Sequence, residues 1–291
     1  MATAAEWLEG ARPRTLPAAV SPVLAGSGVA WFHGGFDWLL AVLAAVVALA
    51  LQVGVNYAND YSDGIRGTDA DRVGPLRLVG SGAAGPRAVK LAAFASFGVG
   101  ALTGLGIVLL TAHWWLLAVG GLAIAAAWFY TGGPRPYGYA GLGEVFVFVF
   151  FGLVAVAGTV YIQLGEVPAA GWWAAVAIGC LACALLVANN LRDRVGDLAA
   201  GKRTLATRLG DRGTRWFFTA LVLAAAASVV GVAATTDWPA LLGLALVPVL
   251  AAPVARVLDG ASGRDLIAVL RSTGIGELAC AVGLLVGLVA A

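Results

Sequence analysis

Two polar stretches interrupt an otherwise greasy chain, and their residue types match. The first, "NYANDYSDGIRGTDADR" (Asn56 to Arg72), holds four aspartates, two asparagines and two arginines, a quarter of the chain's 16 acidic residues. The second, "LLVANNLRDRVGDLAAGKRTLATRLG" (Leu185 to Gly210), repeats the pattern: Ala58, Asn59 and Asp63 align with Ala188, Asn189 and Asp193. Each copy therefore contains Asn-x-x-x-Asp. In the second, Asp197 adds another step of four, so Asn189, Asp193 and Asp197 share one helix face. In the first, Asn56 and Asp60 form a further pair at that spacing. Asp69 follows six residues after Asp63, across "GIRG", whose glycines are expected to break the helix. Like charges stacked this way repel, and ionisable groups near lipid are costly. Bound cations offset both penalties. Mg²⁺ takes hard oxygen ligands, usually one or two carboxylates completed by phosphate oxygens and water. Two such helix ends facing each other predict a grip on a diphosphate through two or three Mg²⁺ ions. Arg66, Arg72 and Arg77 in the first loop, and Arg192, Lys202 and Arg208 in the second, supply the cations to complete the cradle.

The elements that carry these stretches are apolar helices. Mean hydropathy is +0.90 with 12% charged residues, which excludes an ordinary soluble domain and indicates an all-α integral membrane protein. Apolar residues run continuously and do not alternate, which argues against a β-barrel. A net charge of +2, without a basic stripe, gives no footprint for nucleic acid. Nine runs are long enough to cross a bilayer, at about 16–32, 38–58, 88–110, 114–131, 141–162, 171–190, 215–235, 239–257 and 267–290. They form one domain, 1–291, in which the second and sixth spans are equivalent halves of a pseudo-repeat and end in the two acidic stretches. The first run, with Pro17 and Pro22, is retained as mature structure instead of a signal peptide. Upstream, "AAEWLEGARPR" is expected to lie flat at the interface, with Trp7 and Leu8 dipping in.

Numbered alternately, the connections place all 18 Lys and Arg on one side. The positive-inside rule puts the N-terminus and both acidic stretches in the cytoplasm and the C-terminus outside. Trp38, Trp114, Trp115, Trp172, Trp173 and Trp238 border the opposite loops, as an aromatic belt does. Cys180 and Cys183 form a CxxC inside an apolar run, which reads as helix packing, and His33 and His113 lack partners at ligand spacing. The chemistry then rests on carboxylates, amides, arginines and aromatics. Two other classes use such groups. A cation or proton-coupled transporter places acids in an ion pathway, more often near the bilayer midplane than at one face. A CDP-alcohol phosphotransferase needs an Asp-Gly-x-x-Ala-Arg run, which "DGIRGTDADR" lacks.

These stretches, with "GARPRTLPAAVSPVLAGS" and "YTGGPRPYGYAGLGE", resemble the UbiA superfamily of intramembrane aromatic prenyltransferases, over about residues 7 to 215. Within it they are most similar to the menaquinone branch. The resemblance implies a nine-helix bundle in the plasma membrane of a bacterium. It implies Mg²⁺-dependent transfer of a polyprenyl group from polyprenyl diphosphate to 1,4-dihydroxy-2-naphthoate, releasing CO₂ and diphosphate. By position, Asn59 and Asp63, with Asp60 and Asp69, match the first metal motif, and Asn189, Asp193 and Asp197 the second. Lys202 matches the basic residue after it. Tyr130 matches a tyrosine on the fourth span that is followed by lysine, here replaced by Arg135. Asp63, Asp193, Tyr130 and Arg135 are the implied catalytic set. An allylic cation calls for aromatic faces, for which Tyr130, Tyr57, Trp128 and Phe129 are candidates. A naphthoate carboxylate calls for a cation, for which Arg12, Arg14 and Arg135 are candidates. Glu144 is either a buried partner for a basic residue or an interfacial charge.

Overall fold

The structure is a computed structural model that describes residues 2–67 and 76–291. Asp69 and Arg72 lie outside the described residues. The chain forms helices α1 (Ala4–Gly10), α2 (Pro17–Phe32), α3 (Trp38–Arg66), α4 (Pro86–Thr111), α5 (Leu116–Phe129), α6 (Gly143–Leu164), α7 (Ala169–Ala199), α8 (Leu205–Thr235), α9 (Trp238–Leu258) and α10 (Asp265–Ala290). Among the described residues seven helices are long and apolar enough to cross a membrane, or eight if the bent pair of α1 with its following turn and α2 is one span. All nine expected runs are helical. The run expected at 114–131 is only the 14-residue α5, about 21 Å long against a hydrocarbon core of about 30 Å.

Helix length explains where the acids sit. α3 has 29 residues and α7 has 31, or roughly 43–47 Å, so each overshoots the hydrocarbon core by several turns. The surplus turns are the polar ones. α3 starts on the Asp37 cap, whose carboxylate accepts from Leu39 and Leu40 N–H, and ends on Gly67 at φ 69°. Only Gly67 stops the helix. Gly64, the first glycine of "GIRG", stays helical, and Val79 packs where a side chain there would be. α1 does not dip into lipid as a unit: Trp7 turns inward, edge-on to Tyr57 at 5.6 Å, while Leu8 remains exposed.

α7 is the axis of the bundle, packed against α2, α6, α8 and α10. Ile178, Leu181, Phe218, Leu284 and Leu250 form the core around it. α3 packs chiefly on α4, with Tyr57, Leu78, Val89 and Phe97 in a second cluster. The tryptophans expected in a belt, from Trp38 to Trp238, are exposed, at the ends of helices remote from the acids.

α6 departs from α geometry over Phe148–Ala157, a π-helical stretch. In an α-helix a row of residues four apart drifts by about 40° per step. The wider π turn drifts the opposite way. The two cancel, and Phe146, Phe150, Val154, Gly158 and Ile162 all line one cavity wall.

Where α6 meets α7, Gly152 faces Gly179 so closely that an added Cβ would stand 2.6 Å from the Ala175 carbonyl oxygen and 2.8 Å from Gly179 Cα. Gly120 on α5 has open space at that position. Gly152→Val is expected to destabilise the fold by about 1–3 kcal/mol through overpacking. Gly120→Ala should leave the thermal unfolding midpoint in detergent within error of wild type.

Candidate functional site

One large cavity, about 1920 Å³, opens at the end of the bundle where α3 and α7 overshoot. It exceeds the roughly 300–1,000 Å³ of a drug-sized ligand site. Its lining on α3 runs Ala44, Val47, Ala48, Leu51, Gln52, Val55, Asn56, Asn59, Asp63, one stripe along most of the helix. The upper part of that stripe is amide and carboxylate; the lower part is aliphatic. From α7 come Asn189, Asn190, Asp193 and Asp197, above Leu186, Leu185 and Ala182. The cavity is thus polar at its mouth and apolar along a deep gallery between α3, α4, α5 and α6.

A chain of contacts ties the two acidic helix ends together. The Tyr139 hydroxyl donates to Asp63 Oδ1. Lys202 Nζ lies 4.4 Å from the Tyr139 ring centroid and 3.7 Å from Asp197 Oδ1. Arg77 approaches Asp63 at 3.8 Å. Arg192 forks onto Asp193, at 2.7 and 2.8 Å, and onto Asn189 Oδ1 at 2.8 Å. Asn59 Oδ1 accepts from the Thr131 hydroxyl at 2.7 Å. Charge-assisted bonds of this kind hold like-charged side chains in one place.

The sequence-predicted residues divide into three groups. Asn59, Asp63, Asn189, Asp193, Asp197, Tyr130, Arg77, Arg192, Lys202, Arg12 and Arg14 all line the cavity. Arg66, Arg208 and Asp60 act beside it. Arg66 donates to the carbonyls of Thr131 and Gly133, and Arg208 Nη2 to that of Ala140 at 2.7 Å, so both hold the segment between α5 and α6. Asp60 points away from the cavity and accepts from the backbone N–H of Leu78 at 2.7 Å and Val79 at 3.0 Å. It fastens the segment that returns to α4. Arg135 is exposed and outside the cavity lining. Glu144 is 5% exposed, and among the described residues its carboxylate accepts from the amide of Asn190 at 2.9 Å and not from a basic side chain.

Of the aromatic candidates Tyr130 lines the cavity, and the rest of the aromatic lining comes from residues the sequence did not single out. Tyr130 meets Tyr137 edge-on at 5.5 Å, Tyr137 stacks on Phe146 at 4.0 Å, and Phe146 on Phe150 at 6.1 Å. This ladder descends from the mouth into the gallery. Of the other candidates, Tyr57 bonds the Trp7 carbonyl and Trp128 packs with Phe94, while Phe129 is half exposed. None of those three lines the cavity. Tyr139 was legible only as part of "YGYAG", a loop without periodicity.

The oxygen donors suit Mg²⁺ shared with a ligand. Among the described residues no three His, Cys, Asp or Glu side chains form a ready-made metal cage. Mg²⁺ ordinarily binds through one or two carboxylates, with phosphate oxygens and water filling its other positions, and the mouth supplies carboxylates from two helices with cations around them.

Fold and site together define a helical membrane bundle in which two acid-tipped helices share a polar mouth above an apolar gallery. The chain belongs to the UbiA prenyltransferase family, whose model matches residues 19–272. It is 54% identical over 279 residues to the 1,4-dihydroxy-2-naphthoate octaprenyltransferase of Mycobacterium tuberculosis, covering 96% of this chain and 94% of that protein. It is 42% identical over 223 residues to the protein of the same name from Escherichia coli, covering 75% and 72%. The solved structure of a UbiA homolog from Archaeoglobus fulgidus bound to GPP and Mg²⁺ superposes with a TM-score of 0.70 at 16% identity, over 98% of this chain and 100% of that one. That last likeness is one of fold.

Two outcomes follow from the contacts. Asp60→Ala leaves two backbone donors without their acceptor, so unfolding free energy should fall by about 1–3 kcal/mol while Mg²⁺ affinity, measured by calorimetry, holds. Burial, and then the charge of Asp63, raise the Tyr139 phenol above its ordinary value. A raised folded-state value contributes stability that is present below the unfolded pKa, about 10, and lost as pH rises through the folded one. Wild-type melting temperature should therefore decline above about pH 10, and Tyr139→Phe should decline less.

Proposed function

We propose that the protein transfers a polyprenyl group from polyprenyl diphosphate to 1,4-dihydroxy-2-naphthoate, with Mg²⁺, releasing CO₂ and diphosphate and giving the hydroquinone form of demethylmenaquinone. The observation that carries this reading is the joining of a doubly acidic mouth to an apolar gallery in one cavity. A diphosphate headgroup and an isoprenoid tail need those two environments, in that order. The names of the relatives from M. tuberculosis and E. coli, and the GPP and Mg²⁺ bound by the A. fulgidus homolog, support it. A transporter has no use for a gallery that ends in aliphatic side chains.

In this reading Asn59, Asp63, Asn189, Asp193 and Asp197 hold two or three Mg²⁺ ions at the mouth. Bound there, Mg²⁺ supplies Lewis-acid stabilisation of the departing diphosphate. Arg77, Arg192 and Lys202, already directed at the carboxylates, provide donors for diphosphate oxygens. The allylic C–O bond breaks with its electron pair leaving on diphosphate. The ladder Tyr130–Tyr137–Phe146 faces the cationic carbon and steadies it by roughly 1–2 kcal/mol per ring in a water-poor site. Ring carbon C2 forms the new C–C bond, and CO₂ departs, returning its bonding pair to the ring. Arg12 and Arg14, on the cavity lining, are the cations placed to receive the ring carboxylate.

The same reading takes α5 as a full crossing, giving nine spans in one domain whose α3 and α7 are equivalent. It places the protein in the plasma membrane of a bacterium, with the N-terminus and the mouth cytoplasmic and the C-terminus outside. The clustering of the arginines at the mouth end and of the exposed tryptophans at the other supports that orientation.

The test is a mass-spectrometric product assay on purified protein with dihydroxynaphthoate and polyprenyl diphosphate. Product should require Mg²⁺ and vanish with chelator. Asp63→Ala and Asp193→Ala should each lower turnover by about 10²-fold or more while the protein still folds, as loss of transition-state charge stabilisation does. Full activity in either variant, or cation flux in proteoliposomes without a prenylated product, would overturn the assignment.

A further inference from the structure

Thr15 sits in the turn Pro13–Thr15, entered through Arg12 at a left-handed φ of 56°. Every hydrogen-bonding position of its hydroxyl is occupied. The proton goes to the Arg12 carbonyl at 2.9 Å. The two lone pairs accept from Gln52 Nε2 and Asn56 Nδ2, each at 3.0 Å. Asn56 Nδ2 also donates to the Ala11 carbonyl at 2.9 Å, which fixes that amide as well.

A hydroxyl with no proton left can face only a donor. This settles which end of the Gln52 amide points at Thr15, because the reversed amide would set oxygen against oxygen. Gln52 Oε1 is thereby turned away. It is buried and meets no protein donor among the described residues, on a side chain that is 8% exposed and lines the cavity. An acceptor in that state is costly to leave unmade. Ser27 and Glu277 also bury polar atoms without partners, but neither lines the cavity. Of these three residues Gln52 alone presents its acceptor on the cavity wall, where a ligand's donor can reach it.

Its place on the α3 stripe selects the ligand's chemistry. Asn56 lies one turn nearer the mouth, and Ala48 and Leu51 lie on the gallery side. An isoprenoid has no donor to offer here, and a diphosphate offers only acceptors. A hydroxylated aromatic ring has both an apolar face for Leu51 and an O–H for Oε1.

We propose that Gln52 Oε1 accepts a hydrogen bond from a ring hydroxyl of the aromatic acceptor, and that Thr15 is the positioning residue that fixes its orientation. The assignment rests on the prenyl-transfer reading and makes Gln52 a determinant of acceptor specificity. It is tested by equilibrium binding, measured calorimetrically on the full chain in detergent with Mg²⁺, of 1,4-dihydroxy-2-naphthoate and its two monomethyl ethers. In wild type, one of the ethers should bind about tenfold more weakly than the parent, the signature of one lost hydrogen bond. In Gln52→Met, of similar length, that difference should shrink to within about threefold, while the affinity for polyprenyl diphosphate is unchanged. Thr15→Val, which releases the amide, should narrow the difference in the same direction and serves if Gln52→Met does not fold. Equal binding of all three ligands to wild type, or an undiminished difference in the variants, would overturn the proposal. Because binding is read without turnover, absence of prenylated product in wild type would count against the prenyl-transfer reading alone.

Discussion

Mutual repulsion between carboxylates at two neighbouring helix ends is the constraint around which this bundle is organised. α3 and α7 are too long for the hydrocarbon core, and their surplus turns carry Asp63, Asp193 and Asp197 into a common mouth. Such charges hold together only with cations between or around them. The chain supplies some of these itself. Arg192 forks onto Asp193 and Asn189, Lys202 sits against Asp197, and Arg77 approaches Asp63. Tyr139 joins the sets, donating to Asp63 while its ring carries Lys202. The segment between α5 and α6 is therefore a brace for the charged mouth, and Arg66 and Arg208 hold that brace by its carbonyls.

Below the mouth the environment changes within a few turns of each helix. On α3 the lining passes from Asp63 and Asn59 through Asn56 and Gln52 to Leu51 and Ala48. On α7 it passes from Asp197 and Asp193 to Leu185 and Ala182. The aromatic ladder from Tyr130 to Phe150 occupies the zone between. A ligand with a polar head and an apolar tail has one orientation in such a gradient.

Much of this was legible in the sequence, because a helix face is a matter of spacing. Asn-x-x-x-Asp at 59–63 and 189–193 places amide and acid on one face, and both pairs line the cavity. Spacing alone does not say what stands opposite a face. Asp60 is one residue from Asn59 and equally acidic, yet it turns to Leu78 and Val79, whose return beneath α1 no local pattern announces. The same limit hid Thr131 and Tyr139, which sit in an aperiodic segment and matter through partners distant in sequence. Gln52 was missed for another reason: its significance lies in which amide end Thr15 permits, a question of hydrogen-bond accounting and not of residue type. Of the basic residues, those that line the mouth and those that hold backbone carbonyls are indistinguishable by composition. The π-helical stretch of α6 has no sequence signature in "FVFFGLVAVA".

That stretch makes one wall of the gallery depend on residue count more than on residue identity. Removing a single residue between Phe148 and Ala157 and letting the helix relax to ordinary α winding would swivel its distal half by about 60° relative to Phe146, because fifteen steps of about 100° would replace sixteen steps that now close on one wall. Gly158 and Ile162 would then be presented to a neighbouring helix or to lipid, and side chains now outside would enter the chamber. Point substitution trims such a surface one group at a time. A one-residue indel replaces half of it in a single step while every transmembrane residue remains apolar, so related chains with nearly unchanged composition can differ sharply in the shape they offer a hydrocarbon tail.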